Sequence, residues 1–284
     1  MGPGPILGQR TEHGSGNLCA VRVSGQVLAA DGTEIAFDQE GAGPDIAWVH
    51  GICEDRASWT PITSQFIREF RCTRLDLRGH GESARLAQYD PGMFIADVSA
   101  VITTTCTTKP VVVGHSLGGL IATVASALGM TGPVICIDQP LKAGSLARLV
   151  HQLAPRLRDP TRFPDALIEE KIALGMDLVP GPMFTRLEEL TRMCDQTMVL
   201  DTWQPMLDAD TDTLEANDAA LEAILPSIDE PYLALHGSAV SEEYANWFGR
   251  TISSGTLEVW DGCGHWPHLV DPKRFVDRIR SFLA

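Results

Sequence analysis

Positive charge is scarce in this 284-residue sequence, with 22 Lys and Arg against 37 Asp and Glu and a formal net charge of −15. Proteins that bind nucleic acid neutralise phosphates with Lys and Arg, so no nucleic-acid partner is expected; the acidic surface is read as serving solubility. No stretch approaches the roughly 20 apolar residues of a membrane span, so no membrane partner is expected. The opening MGPGPILGQRTEHGSGN lacks the charged start and apolar core of a signal peptide. The seven cysteines, Cys19, Cys53, Cys72, Cys106, Cys136, Cys194 and Cys263, are odd in number and scattered. With no C-x-x-C pair and no Cys/His cluster, no metal site is expected. Several lie in apolar runs such as Val134-Ile135-Cys136-Ile137, where a free thiol packs as a small hydrophobe. A reducing, cytoplasmic setting follows as the expectation. Internal repeats and low-complexity tracts are absent.

Hydrophobic residues make up 44% of the chain and charged residues 21%, values of an ordinary globular protein. The length permits two domains, and one α/β domain with an insertion fits equally well. Residues 1–24 are Gly-rich and read as a flexible tail. Beyond them, short apolar runs alternate with helical patterns, the signature of a mostly parallel sheet covered by helices. Strands are predicted at 26–30, 34–40, 45–50, 71–77, 110–114, 134–137, 232–235 and 255–260. A hairpin turn is predicted at Asp31-Gly32-Thr33. Helices are predicted at 56–70, 91–106, 117–128, 241–252 and 271–283. From 140 to 230 the rhythm breaks: amphipathic segments near 144–153, 165–174, 184–200 and 212–225 follow one another without a strand. An irregular loop of that length does not suit a compact domain, so 140–230 reads as a helical insertion. Residues 25–139 and 231–284 then form the core.

The sharpest motif is Pro110-Val-Val-Val-Gly114-His115-Ser116-Leu117-Gly118-Gly119. A buried strand runs into G-x-S-x-G and then a helix, the setting of a nucleophile elbow. Gly114 and Gly118 remove the Cβ atoms that such a sharp turn would crowd, and Ser116 is left exposed at a helix N-terminus. A serine hydroxyl needs an adjacent base. Of eight histidines, His265 in Trp260-Asp-Gly-Cys-Gly-His265 lies in the loop between the last strand and last helix, at the edge where strand ends converge. His115 adjoins Ser116 in sequence but points away. His268 reads as packing, His80 and His236 as loop structure, and His13 and His151 stand in unpromising contexts. After the third strand, Gly51 in His50-Gly51-Ile52-Cys53 lets the chain pass close to the substrate. The amides of Ile52 and Leu117 are then the expected oxyanion donors.

Taken together, His50-Gly51, Asp76-Leu-Arg-Gly-His-Gly-Glu-Ser83, Gly114-His-Ser-Leu-Gly118 and Gly264-His265 resemble the α/β-hydrolase superfamily over most of the chain. The resemblance implies an eight-stranded, mostly parallel sheet with flanking helices and a helical cap after the sixth strand. It also implies a Ser–acid–His triad, an acyl-enzyme and no cofactor. The Asp76–Ser83 hallmark is read as a structural loop.

One departure stands out. Most members carry the acid in an H-G-x-x-D loop after the seventh strand, whereas here His236-Gly237-Ser238-Ala239-Val240-Ser241 holds no carboxylate. Asp138, ending the sixth strand in Val134-Ile-Cys-Ile-Asp138, is the expected acid. Zearalenone-type lactonases and certain haloalkane dehalogenases similarly place theirs there. Glu242, Glu243 or an acid-free dyad stay as alternatives.

The insertion carries Met176, Met183, Phe184, Met193, Met198, Trp203 and Met206, adaptable residues for an apolar pocket. Trp203, Met198 and Cys53 are the expected lining, and a small apolar ester or lactone the expected substrate. C–C bond hydrolysis, thioester hydrolysis and perhydrolysis fit the same residues, as does a ligand-binding receptor on a hydrolase scaffold; oligomeric state is open.

Overall fold

The computed structural model describes residues 7–11, 22–142 and 144–284, and its framework is one nine-stranded sheet. β1 (Leu7–Thr11), β2 (Arg22–Leu28) and β3 (Glu34–Glu40) form an antiparallel meander. The turn between β2 and β3 falls at the predicted Asp31-Gly32-Thr33, with Gly32 at φ 86° and its amide donating to the Ala29 carbonyl. Next come β4 (Asp45–Val49), a 3-10 turn at Arg56–Trp59, α1 (Thr60–Thr63), β5 (Arg71–Leu75), α2 (Met93–Thr105), β6 (Val111–His115), α3 (Leu117–Ala127) and β7 (Val134–Ile137). Five helices then run without a strand: α4 (Gly144–Leu157), α5 (Phe163–Ala173), α6 (Gly181–Arg192), α7 (Gln196–Leu207) and α8 (Thr211–Ile224). The chain returns through β8 (Tyr232–His236), α9 (Glu242–Thr251), β9 (Gly255–Val259), α10 (Pro267–Val270) and α11 (Pro272–Leu283).

Across the sheet the order is β1-β2-β3-β5-β4-β6-β7-β8-β9, parallel from β5 onward. β4, β7 and β8 are buried along their whole length, as a sheet covered on both faces requires. On one face Phe94, Val98, Ile121, Trp247 and Phe248 pack against it; on the other, Trp59, Phe66 and Phe275 pack with Trp48 of β4.

All eight predicted strands are present. A ninth, β1, lies inside the segment read as a tail: Leu7 pairs with Gln26 and Thr11 with Arg22, so residues 7–11 and 22–24 belong to the sheet. The rest of that expected tail, with His13 and Cys19, lies outside the described residues. The helix expected over 56–70 is confined to a 3-10 turn and the single turn of α1; Asp55 caps the former by accepting from Ala57 and Ser58. The segment expected at 184–200 divides into α6 and α7, because Asp195 starts a new helix by accepting from Thr197 and Met198.

The reading of the cysteines as those of a reducing setting also meets a disulfide. Cys53, after β4, forms a disulfide with Cys194, between α6 and α7, with Cα atoms 5.4 Å apart. The reducing compartment argued from free thiols loses that support. Two further links join the same stretch to the inserted helices: the Lys171 ammonium donates to the Ile52 carbonyl (3.0 Å), and Arg186 pairs with Asp55. Closing 141 residues of chain contributes about 5 kcal/mol in the chain-entropy account. Reduction, or Cys194→Ala, is therefore expected to lower the urea midpoint clearly; an unchanged midpoint would mean that the bridge does not form in solution.

Candidate active site

Strand register carries two of the candidate residues to one place. His115 on β6 lies opposite Ile137 on β7, and Ser116 and Asp138 each follow directly. The Ser116 amide donates to the Ile137 carbonyl (2.9 Å) and the Asp138 amide to the Leu235 carbonyl of β8 (2.8 Å). Both residues take a left-handed backbone, with φ 50° at Ser116 and 46° at Asp138. Cys53, at 57°, is the third such non-glycine residue among those described. Each such conformation costs of order 1–3 kcal/mol and is kept where the surroundings over-determine it, commonly at functional sites.

The glycines do what the turn demands. A Cβ on Gly114 would collide with the backbone of Gly118, and one on Gly118 with the carbonyls of Val49 and His50. A Cβ on Gly51 would come within 2.9 Å of His115 Nδ1 and 3.2 Å of Ser116 Cβ, so the β4 loop passes directly over the serine. Among the described residues neither the Ile52 nor the Leu117 amide has a backbone partner in a turn or loop. Both residues line the cavity that Ser116 opens into.

His265 reaches Asp138 from the loop after β9. Its Nδ1–H donates to Asp138 Oδ2 at 2.6 Å, while the Gly237 amide donates to Oδ1 at 2.8 Å. Burial by itself would raise the Asp138 carboxyl; the hydrogen bond and charge of His265, the Gly237 amide and His236 outweigh it and hold the group below its usual range. The loop is held in turn by the His265 amide donating to the Leu174 carbonyl after α5 (2.8 Å). Ser116 and His265 line one cavity without a direct hydrogen bond between their side chains; in resting enzymes this contact is often long and tightens with substrate.

Beneath these groups lies Glu54, fully buried. It accepts from the Trp266 indole (2.8 Å) and the Gly51 amide (3.3 Å), and His115 Nδ1 lies 3.0 Å away. Burial would raise this carboxyl, but His115, Lys171 and Trp266 hold it well below the usual range. His115, turned away from Ser116 as expected, also donates from Nε2 to the His265 carbonyl (2.8 Å). His80 braces the other loop: its Nε2 accepts from the Cys53 amide (3.1 Å) and its Nδ1–H donates to the Arg78 carbonyl (2.9 Å).

The cavity has a volume of about 520 Å3 and lies between the sheet edge and the inserted helices. Of the expected lining residues Trp203 faces it, with Met206 beside it. Two expectations are corrected. Met198 is fully buried in the packing of helix against helix, its Sδ accepting from the Thr202 hydroxyl (3.6 Å). Cys53 is turned into its disulfide rather than toward the cavity. Glu242 and Glu243 are exposed in the first turn of α9, away from the cavity lining. Residue-by-residue reading missed Glu54, Glu170 and Lys171: in sequence they look like solvated charges near helix starts and faces, and only tertiary packing buries them. Among the described residues no group of three His, Cys, Asp or Glu is placed to hold a metal, and no helix is long and apolar enough to cross a membrane.

Comparison with known proteins gives concordant results. The sequence profile described as "Alpha/beta hydrolase family" matches residues 46–278. A non-heme haloperoxidase of Rhodococcus erythropolis is 27% identical over 90% of this chain and 98% of its own length. A pimeloyl-[acyl-carrier protein] methyl ester esterase of Vibrio campbellii is 25% identical over 89% of this chain and 99% of its own. The solved esterase of Exiguobacterium antarcticum superposes with a TM-score of 0.76 at 21% identity, covering 90% of this chain and 98% of that one.

The buried histidines set a dependence on pH. Burial pushes His80 down to about 3 from an ordinary 6.5, and pushes His268 well below 6.5. As pH falls through 6.5 the unfolded chain takes up these protons while the folded one excludes them, so stability falls with pH. The urea midpoint is expected to drop between pH 6.5 and 5, above the carboxylate range, and His80→Asn to flatten that slope. A level wild-type midpoint over this window would refute the assignment.

Proposed function

Because this chain belongs to the alpha/beta hydrolase family, we propose that it is a serine hydrolase cleaving a carboxylic ester or lactone of a small, largely apolar substrate. The observation that carries the reading is the 2.6 Å contact of His265 with Asp138 at the rim of the cavity that Ser116 opens into.

In the proposed mechanism Ser116 Oγ attacks the carbonyl carbon while His265 Nε2 takes its proton. Asp138, bound to Nδ1–H, fixes the tautomer that leaves Nε2 free and stabilises the imidazolium that forms. The carbonyl oxygen, now an anion, accepts from the amides of Ile52 and Leu117, each donor worth roughly 10²–10³ in rate. His265 then protonates the departing alkoxide as the C–O bond breaks. In the second half His265 takes a proton from water as the water oxygen attacks the acyl carbon, then returns it to Ser116 Oγ as the acyl C–O bond breaks and the acid leaves.

An ester or lactone is favoured by the cavity wall, which is mostly Leu, Ile, Pro and Met, and by relatives named as esterases. Dehalogenases and epoxide hydrolases of this fold attack with Asp, and position 116 is Ser. In this reading helices α4–α8 serve as the cap.

The test is hydrolysis of p-nitrophenyl acyl esters, with pre-steady-state bursts. Ser116→Ala is expected to abolish burst and turnover, and Asp138→Asn to lower kcat by about 10⁴ through the wrong tautomer. Full activity of a folded Asp138→Asn would move the acid elsewhere; a wild type without burst or turnover would count against the enzyme reading.

A further inference from the structure

The last turn of α5 places two ionisable groups in a cavity whose wall is otherwise largely apolar. Glu170 and Lys171 both line it, with Ser116 and His265, and are only 5% and 4% exposed. The Lys171 ammonium gives one hydrogen to the Ile52 carbonyl (3.0 Å) and lies 5.6 Å from the centre of the Trp266 ring; among the described residues no second hydrogen-bond acceptor takes its other two N–H bonds. The Glu170 carboxylate has neither a hydrogen bond nor an ion pair within 4.0 Å among the described residues. Burial pushes it up and Lys171 and His265 offset only part of that; burial likewise pushes Lys171 down. A buried polar group without a partner costs roughly 1–3 kcal/mol, and a site carrying such groups favours a ligand that satisfies them.

We infer that Glu170 and Lys171 form a subsite for a hydroxyl group carried by the substrate close to its scissile ester. The inference rests on the serine-hydrolase reading and deepens it. A substrate carboxylate would suit Lys171 but meet Glu170, and a substrate ammonium would suit Glu170 but meet Lys171. A hydroxyl accepts from the ammonium through a lone pair and donates its proton to the carboxylate, so one small neutral group satisfies both. The substrate is then a hydroxy ester: apolar over most of its length, toward Leu146, Leu214 and Leu221, with one hydroxyl near the reacting carbonyl.

Two readouts separate this inference from the reading beneath it. The first is kcat/KM for near-isosteric pairs: ethyl 3-hydroxyhexanoate against ethyl 3-methylhexanoate, and 2-hydroxyethyl against propyl hexanoate, followed by proton release. The second needs no turnover: calorimetric binding of hexane-1,3-diol against 1-hexanol. A preference for the hydroxyl partner of about 10- to 100-fold is expected in at least one ester pair, with the diol binding correspondingly tighter. In Glu170→Leu both preferences are expected to fall to about one, while its melting temperature rises because an unpartnered buried carboxyl is gone. No preference in either ester pair or in binding would overturn the inference, as would a preference that survives Glu170→Leu, or a variant that melts lower because Glu170 holds the fold. Diol binding without hydrolysis of any ester would support the subsite while the serine-hydrolase reading fails.

Discussion

The Glu54 carboxylate is almost wholly buried beside the candidate site, and a buried charge of that kind persists only among donors and opposite charge. Its neighbours come from three places. Gly51 belongs to the loop after β4, His115 ends β6, and Trp266 follows the candidate base in the loop after β9. The requirement to surround one charge therefore draws together the segments that carry the proposed oxyanion amide, nucleophile and base. Lys171 adds a fourth segment: its ammonium is held to the Ile52 carbonyl and offsets the charge of Glu54. The positions of the reacting groups follow from a group that, in the proposed mechanism, takes no part in the chemistry.

A second constraint acts from the sheet. Ser116 and Asp138 occupy matching positions, one residue past the paired ends of neighbouring parallel strands, and share the same unusual backbone conformation. Their separation is fixed by strand spacing and register rather than by loop packing. The candidate base, by contrast, sits on a loop whose course depends on contacts: His265 to Leu174, and Gly264 to the Gly237 carbonyl (3.0 Å). Where most relatives of this fold would carry the acid, after β8, the Gly237 amide instead serves the carboxylate of Asp138. The loop after β8 thus contributes a backbone donor, three residues before the position where the H-G-x-x-D motif would carry its carboxylate.

Much of this was legible in the chain because it rests on local chemistry. The eight expected strands are apolar runs, and G-x-S-x-G marks a strand entering a helix, so β6, α3 and the turn at Ser116 followed from the local sequence pattern. The loop after Tyr232–Leu235 lacks a carboxylate, and the resemblance to hydrolases with an acid after the sixth strand made Asp138 the expected one, with Glu242, Glu243 or a dyad as alternatives. The structure sets the Asp138 carboxylate against His265. What escaped was non-local. β1 is held by pairing with Arg22–Gln26, a register that a Gly-rich stretch does not advertise. The pairing of Cys53 with Cys194 spans 141 residues and leaves no spacing signature. Glu170 and Lys171 sit within Glu169-Glu170-Lys171, where sequence offers no means to tell a solvated charge from one facing a cavity. Met198 and Cys53 were misplaced for the same reason: apolar character says that a residue is inside, not which inside.

The stretch Ile52–Asp55 is held at Ile52, Cys53 and Asp55, by a carbonyl contact, a covalent bridge and an ion pair, each reaching a different part of the helices between β7 and β8. Such insertions are commonly regarded as exchangeable modules that diversify around a constant scaffold. Here exchange is constrained by heredity of contacts. A transplanted helical segment from another lineage would have to bring equivalents of Lys171, Arg186 and Cys194, or the scaffold loop would lose its shape along with its roof. Exchanging α5–α7 would therefore disturb the loop after β4 together with the cavity wall, whereas substitutions within them away from Lys171, Arg186 and Cys194 leave that loop's contacts in place.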